Sequence, residues 1–112
     1  MKTHYIPEAP QRADIDTLPG ATVLEFGANW CGHCRAAQAP LAQAWPGHDG
    51  VAHYKVEDGP GRPLGRSYRV KLWPTFIFLR DGQEVARVVR PLEASEITDG
   101  LTQIDPGAAA TL

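Results

Sequence analysis

The chain reads as an α/β protein with a mixed central sheet of about four strands, βαβ followed by ββα, flanked by helices. Three observations lead there. "ATVLEFGA" (21–28) is a compact apolar run with β-branched and aromatic members behind a Pro19-Gly20 turn, the pattern of a strand buried on both faces. A helix-forming stretch and a second strand-like run follow it, which makes a right-handed parallel crossover. "PTFIFLRDGQEVARVVR" (74–90) holds two strand-like runs around Asp81-Gly82, an antiparallel hairpin.

The remaining elements follow in order. Residues 1–20 are polar and punctuated by proline, an N-terminal extension with one short helix between Pro10 and Leu18. From Cys31 to Trp45 the strong helix formers Ala, Gln, Leu and Arg predominate, ending at Pro46-Gly47. Pro40 lies inside that helix and should bend it. "VAHYKVE" (51–57) is the second strand, and "DGPGRP" a loop into a short helix over 63–69. Pro91 can open a last helix from Leu92 to about Ile104, with Leu92, Ile97, Leu101 and Ile104 near one face. Residues 105–112 read as a flexible tail, leaving 21–104 as one domain.

At 112 residues the chain can build one packed core, and 43% hydrophobic with 21% charged residues is a composition that folds. A net charge of −2 gives no bulk attraction to nucleic acid. Locally, Arg62, Arg66, Arg69, Lys71, Arg80, Arg87 and Arg90 face only Asp81 and Glu84, a basic surface that could steer acidic partners. No window approaches 18 consecutive apolar residues, and residues 1–20 lack the apolar segment of a secretory leader. The expectation is a cytoplasmic monomer with no membrane segment.

The chemistry concentrates in "NWCGHCRAAQ" (29–38), which holds both cysteines of the chain. As a staple, a Cys31–Cys34 bond closes a very short loop and removes only about 2 kcal/mol of chain entropy. As a zinc claw, the pair lacks a second close Cys or His pair: His4, His48 and His53 are scattered, and His33 sits between the cysteines. As a redox couple every feature has a use. Cys31 precedes a helix whose unpaired N–H groups and partial positive charge favour a thiolate. Cys34, one turn inward, can attack a mixed disulfide and release the partner. Gly32 lets the backbone turn tightly, and His33 can place an imidazole beside the sulfurs, favouring the reduced form and a more oxidising disulfide.

Trp30-Cys31-Gly32-His33-Cys34 resembles the active-site motif of the thioredoxin superfamily, in the form similar to protein disulfide isomerase domains. The resemblance runs from about Val23 to Ile104, with Trp73-Pro74-Thr75 in the place of the family's cis-proline loop. It implies a thioredoxin-like fold and a thiol:disulfide oxidoreductase acting on disulfide-containing proteins. No cofactor is implied beyond the redox-active pair Cys31–Cys34, and no metal. Recharging would fall to a thioredoxin-reductase-type or glutathione system.

The same resemblance assigns roles. Glu25, six residues before Cys31, stands where the family keeps a buried acid. A carboxylate inside an apolar strand is expected to have a raised pKa and to act as general base toward Cys34. Lys55 looks like the lysine neighbouring that acid. Pro74 would face the disulfide without an N–H, Trp73 would offer backbone groups to an extended substrate beside Thr75, and Trp30 would form an apolar lip. Three departures stand out. Pro40 lies six residues after Cys34 instead of five, Arg69 stands where a glycine is common, and Arg90-Pro91 replaces a glycine beside the groove. A bulky cation there would favour acidic partners. The competing reading is a binding or chaperone module that keeps the fold without turnover.

Overall fold

The computed structural model describes residues 1–107. The elements are α1 (Arg12–Asp16), β1 (Ala21–Gly27), α2 (Gly32–Ala36), α3 (Gln38–Ala44), β2 (Ala52–Glu57), α4 (Pro63–Ser67), β3 (Thr75–Arg80), β4 (Gln83–Val89) and α5 (Ala94–Ile104). One four-stranded sheet carries them in the order β2-β1-β3-β4. β1 pairs parallel with β2 and antiparallel with β3, which pairs antiparallel with β4. β1 is buried along its whole length, as a central strand covered on both faces must be.

Strand alternation sorts the core into two layers. Val23, Phe76 and Phe78 pack against Leu41 of α3 and Ile97, Leu101 and Ile104 of α5. On the opposite face Leu24, Phe26, Val56, Ile77 and Leu79 meet Ile15 of α1, Leu64 of α4 and Tyr68 at the C-cap of α4. Glu25 falls on the Val23 side, so β1 aims a carboxyl group at the layer that contains α2 and α3. The β3–β4 hairpin turns on Asp81 (φ 51°) and Gly82 (φ 81°), the left-handed pair that a two-residue turn needs to match strand twist.

Several sequence expectations are corrected. The helix expected from Cys31 to Trp45 is two helices joined at Ala37. Pro40 explains the break, because its ring conflicts with the carbonyl four residues back. Restarting the helix at Gln38 leaves Pro40 in a first turn, where no N–H is required. The last helix starts at Ala94, not at Leu92. Glu93 is its N-cap in a reciprocal capping box with Glu96, and Leu92 is 82% exposed, off the buried face. Asp105, assigned to a flexible tail, is buried and its carboxylate lies 2.6 Å from His48 Nδ1. The rest of that tail, 108–112, lies outside the described residues.

Residues 1–20 are integrated with the sheet. Ile6 forms a parallel bridge to Val56, with Ile6 N–H donating to Lys55 O and Glu57 N–H to Ile6 O, both at 2.9 Å. This lays Tyr5 against the β1–β2 pair.

α4 ends at Ser67, two residues before the expected Arg69, in a Schellman closure: Arg69 N–H donates to Arg66 O and Val70 N–H to Gly65 O. The closing residue must be left-handed, and Arg69 accordingly has φ 58°. A Cβ in that conformation costs roughly 1–2 kcal/mol, whereas glycine loses about 0.5–1 kcal/mol of chain entropy. Arg69→Gly is therefore expected to stabilise the fold by up to about 1 kcal/mol, read as a higher urea midpoint. A lower midpoint would mean that the arginine side chain outweighs its backbone strain.

Candidate active site

Both cysteines are free thiols at the C-terminal end of β1, where the chain turns into α2. Cys31 is the N-cap, with extended backbone (φ −78°, ψ 122°), and its Sγ accepts the Cys34 N–H at 3.2 Å. The sulfur thus takes the place of the capping oxygen of a Ser or Asp. Cys34, one turn on, is 1% exposed. Burial, then its hydrogen bond to Cys31, pushes the Cys34 thiol up to about 11.

Behind Cys34 lies a buried polar cluster. Glu25 is fully buried, and four donors converge on its carboxylate. His53 Nε2 lies 2.9 Å from Oε1. On Oε2, Lys55 Nζ lies at 3.2 Å and Gln38 Nε2 at 3.3 Å, and the Tyr5 hydroxyl donates to the same oxygen. The register places Lys55 opposite Glu25, and alternation along β2 puts His53 on the same face. Lys2 N–H donates to His53 Nδ1 at 2.8 Å, which leaves the proton on Nε2, facing Glu25.

Glu25 was expected to have a raised pKa, and this is corrected. Desolvation does raise it, but the donors from His53, Lys55 and Tyr5 outweigh burial and hold the carboxyl below its ordinary value. Glu25 is a paired anion. Nor is it bonded to Cys34: the Tyr5 hydroxyl lies at both. A Cβ placed on Gly27 would fall 2.6 Å from Cys34 Sγ and 2.8 Å from Tyr5 Oη, so thiol and phenol crowd the one spot that only glycine leaves open. Burial, then the Glu25 charge and hydrogen bond, keep the phenol protonated by raising its pKa.

The rim differs in character. Trp30 is 70% exposed and meets Trp73 edge-on, with ring centroids 5.6 Å apart. Trp73 Nε1 donates to Asp58 Oδ2 at 2.9 Å, and the Trp73–Pro74 peptide is cis. The Trp73 carbonyl already accepts Arg90 Nε at 2.7 Å, while Arg90 N–H donates to Pro74 O. Arg90, left-handed at φ 52°, thus clasps the loop that a substrate would have to approach. Thr75 is 1% exposed, its hydroxyl donating to Leu72 O, so it braces the loop from within. Gly32 has no positive φ, and a Cβ there would meet nothing within 4 Å, so neither backbone nor space demands glycine. His33 is exposed, and its ring makes no hydrogen bond among the described residues.

Of the basic stretch, Arg62 pairs with Glu57 and Arg87 with Glu84. Arg66, Arg69 and Lys71 have no ion-pair partner among the described residues, and with Trp73 they line an open groove of about 630 Å³. Among the described residues no three His, Cys, Asp or Glu side chains are grouped to hold a metal.

Sequence reasoning missed Tyr5 and His53. His53 was accessible, since it stands two residues before Lys55 and alternation puts both on one face. Tyr5 carried no such signal.

The sequence profile described as Thioredoxin matches residues 8–103. The chain belongs to the thioredoxin family. Thioredoxin 2 from Pseudomonas aeruginosa PAO1, solved in its reduced form, is 59% identical over 92% of this chain and 95% of that one, with a TM-score of 0.82. A thioredoxin H-type of Fagopyrum esculentum is 34% identical over 60% of this chain, and thioredoxin H2-1 of Oryza sativa subsp. japonica likewise. This chain spans 58% and 49% of the length of those two curated relatives.

Proposed function

We propose that this chain is a thiol:disulfide oxidoreductase that exchanges disulfides with protein substrates through Cys31 and Cys34. The observation that carries this reading is the paired thiol at the end of β1, with Cys34 N–H donating to Cys31 Sγ at 3.2 Å. A hydrogen bond to that sulfur is what a thiolate nucleophile or leaving group requires. Protein-disulfide exchange is the chemistry of the thioredoxin family, which supports the same assignment.

In this reading Cys31 attacks a substrate disulfide beside the Trp30, Trp73 and Pro74 rim, and Cys34 resolves the mixed disulfide. Glu25 receives the Cys34 proton, with Lys55 holding the carboxylate. The electrons pass through sulfur, so no cofactor enters. The deciding assay is reduction of insulin disulfides by wild type and by Cys31→Ser. Equal activity of the two would favour a binding module that does not turn over.

His33 is assigned the tuning of the couple, since it sits between the two cysteines in the first turn of α2. Proline fits that turn without losing a helical hydrogen bond. His33→Pro is expected to make the couple more reducing, by tens of millivolts. A redox titration showing no shift, or a more oxidising couple, overturns the assignment.

For substrates we favour acidic chains, because Arg66, Arg69 and Lys71 stand unpaired in the groove that Trp73 closes. Turnover of an acidic-flanked peptide disulfide should fall steeply between 20 and 300 mM salt, on the order of tenfold, while a basic-flanked one holds or rises. Equal salt responses would remove the groove from substrate choice. A thioredoxin-reductase-type or glutathione system is the recharging partner in this reading, and the cytoplasm, where thiols are kept reduced, is the compartment to test by fractionation.

A further inference from the structure

We propose that Tyr5 relays the Cys34 proton to Glu25, making the N-terminal segment part of the reaction path. The proposal rests on the oxidoreductase reading above. Its basis is the order of groups: Cys34 Sγ, Tyr5 Oη and Glu25 Oε2 follow one another inside a pocket where Cys34 is 1%, Tyr5 4% and Glu25 0% exposed.

Direct transfer to Glu25 is poorly served, because its two oxygens are already engaged by His53, Lys55, Gln38 and Tyr5. The phenol is the contact of that carboxylate that reaches the Cys34 thiol, whereas Gln38 Nε2, which also bonds Glu25, donates to the Cys34 carbonyl. It can give its proton to Glu25 and take another on the same oxygen. Facing the hydroxyl are Glu25 from β1 and Cys34 from α2, with Lys55 Nζ from β2 lying 4.5 Å from the centre of the ring. His53 bonds the other oxygen of Glu25, Oε1.

The step balances as follows. The Cys34 S–H proton passes to Tyr5 Oη as the phenol proton passes to Glu25 Oε2, leaving a Cys34 thiolate, a neutral phenol and a carboxylic acid. That thiolate attacks Cys31 Sγ in the mixed disulfide. A Cys31–Cys34 bond forms, the bond from Cys31 to the substrate sulfur breaks, and the substrate leaves as a thiolate with the electron pair. The protein dithiol is oxidised and the substrate disulfide is reduced.

The test follows the two sulfurs separately. Reduced protein mixed rapidly with dithiobis(nitrobenzoate) releases one thionitrobenzoate in a reagent-dependent phase, when Cys31 attacks. It releases a second in a reagent-independent phase, when Cys34 resolves. Tyr5→Phe should slow the second phase on the order of 10- to 100-fold and leave the first unchanged. Fluorinated tyrosines placed at position 5, which keep the shape but acidify the phenol, should change the second phase in step with their acidity. A second phase within about twofold of wild type in Tyr5→Phe overturns the relay. So does a slowed Tyr5→Phe whose fluorinated counterparts all match wild type, since that is the mark of a space-filling ring. Absence of the second phase from wild type would instead sink the oxidoreductase reading itself, and the relay with it.

Discussion

Cys34→Ser will turn the protein from a turnover catalyst into a trap. The mutant keeps the Cys31 thiol at the mouth of the site and removes the one group placed to displace a bound partner. The hydroxyl that replaces Cys34 Sγ is nearly isosteric, so the hydrogen bond from its backbone N–H to Cys31 Sγ is retained. What is lost is intramolecularity. A resolving thiol held one helical turn away can act at an effective concentration on the order of 10⁵ M, against millimolar thiol in solution. Insulin reduction should therefore drop by 10³-fold or more, while adducts that dissolve in dithiothreitol accumulate on Cys31. These are to be counted by intact-mass spectrometry. Survival of near wild-type turnover would show that Cys34 is not the resolving group. The adducts themselves would identify physiological partners.

Glu25→Ala is the second large effect, and it falls on stability. The carboxylate neutralises Lys55, which is 2% exposed, and accepts from Tyr5, His53 and Gln38. Its removal strands a buried ammonium and takes the acceptor from Tyr5 and His53, while Gln38 keeps its bond to the Cys34 carbonyl, at a cost of about 3–5 kcal/mol. The double variant Glu25→Leu with Lys55→Met removes both charges and should recover the part of that loss due to the stranded ammonium. Urea denaturation separates the two results. A loss below about 1 kcal/mol for Glu25→Ala would mean that Lys55 escapes to water. The same pair sets an acid limit. The folded-state pKa of Glu25 is depressed, so its stabilisation is present above the ordinary carboxylate value and disappears as pH falls through the folded one. The wild-type urea midpoint should decline below about pH 4, and that of the double variant should decline less.

How legible all this was depends on where each constraint came from. β1 was clear because it is apolar but for Thr22 and Glu25, as a strand covered on both faces mostly is, and the hairpin because Asp81-Gly82 supplies two left-handed residues. The cysteines announced themselves by spacing. Pro40 announced a bend in the first long helix, but not that the break falls three residues earlier, at Ala37, because that position depends on the ring meeting the carbonyl of Ala36. The sign of the Glu25 shift was misjudged for a related reason. An apolar strand predicts desolvation, but the donors that reverse it arrive from Tyr5, Gln38, His53 and Lys55, scattered through the chain. The start of α5 shifted from Leu92 to Ala94 because a capping box between Glu93 and Glu96 won over the helix-opening tendency of Pro91.

The bridge between Ile6 and Val56 ties the chemistry to the fraying of an arm. Two backbone hydrogen bonds, from Ile6 N–H and Glu57 N–H, hold the first strand-like residues to the free edge of β2. Should they open together, Tyr5 would swing away and solvent would flood the carboxylate beneath it. The exchange rate of those two amides against deuterium is thus a clock for how often the redox centre loses its dry environment, and any change that hastens it should show in the pace of disulfide resolution.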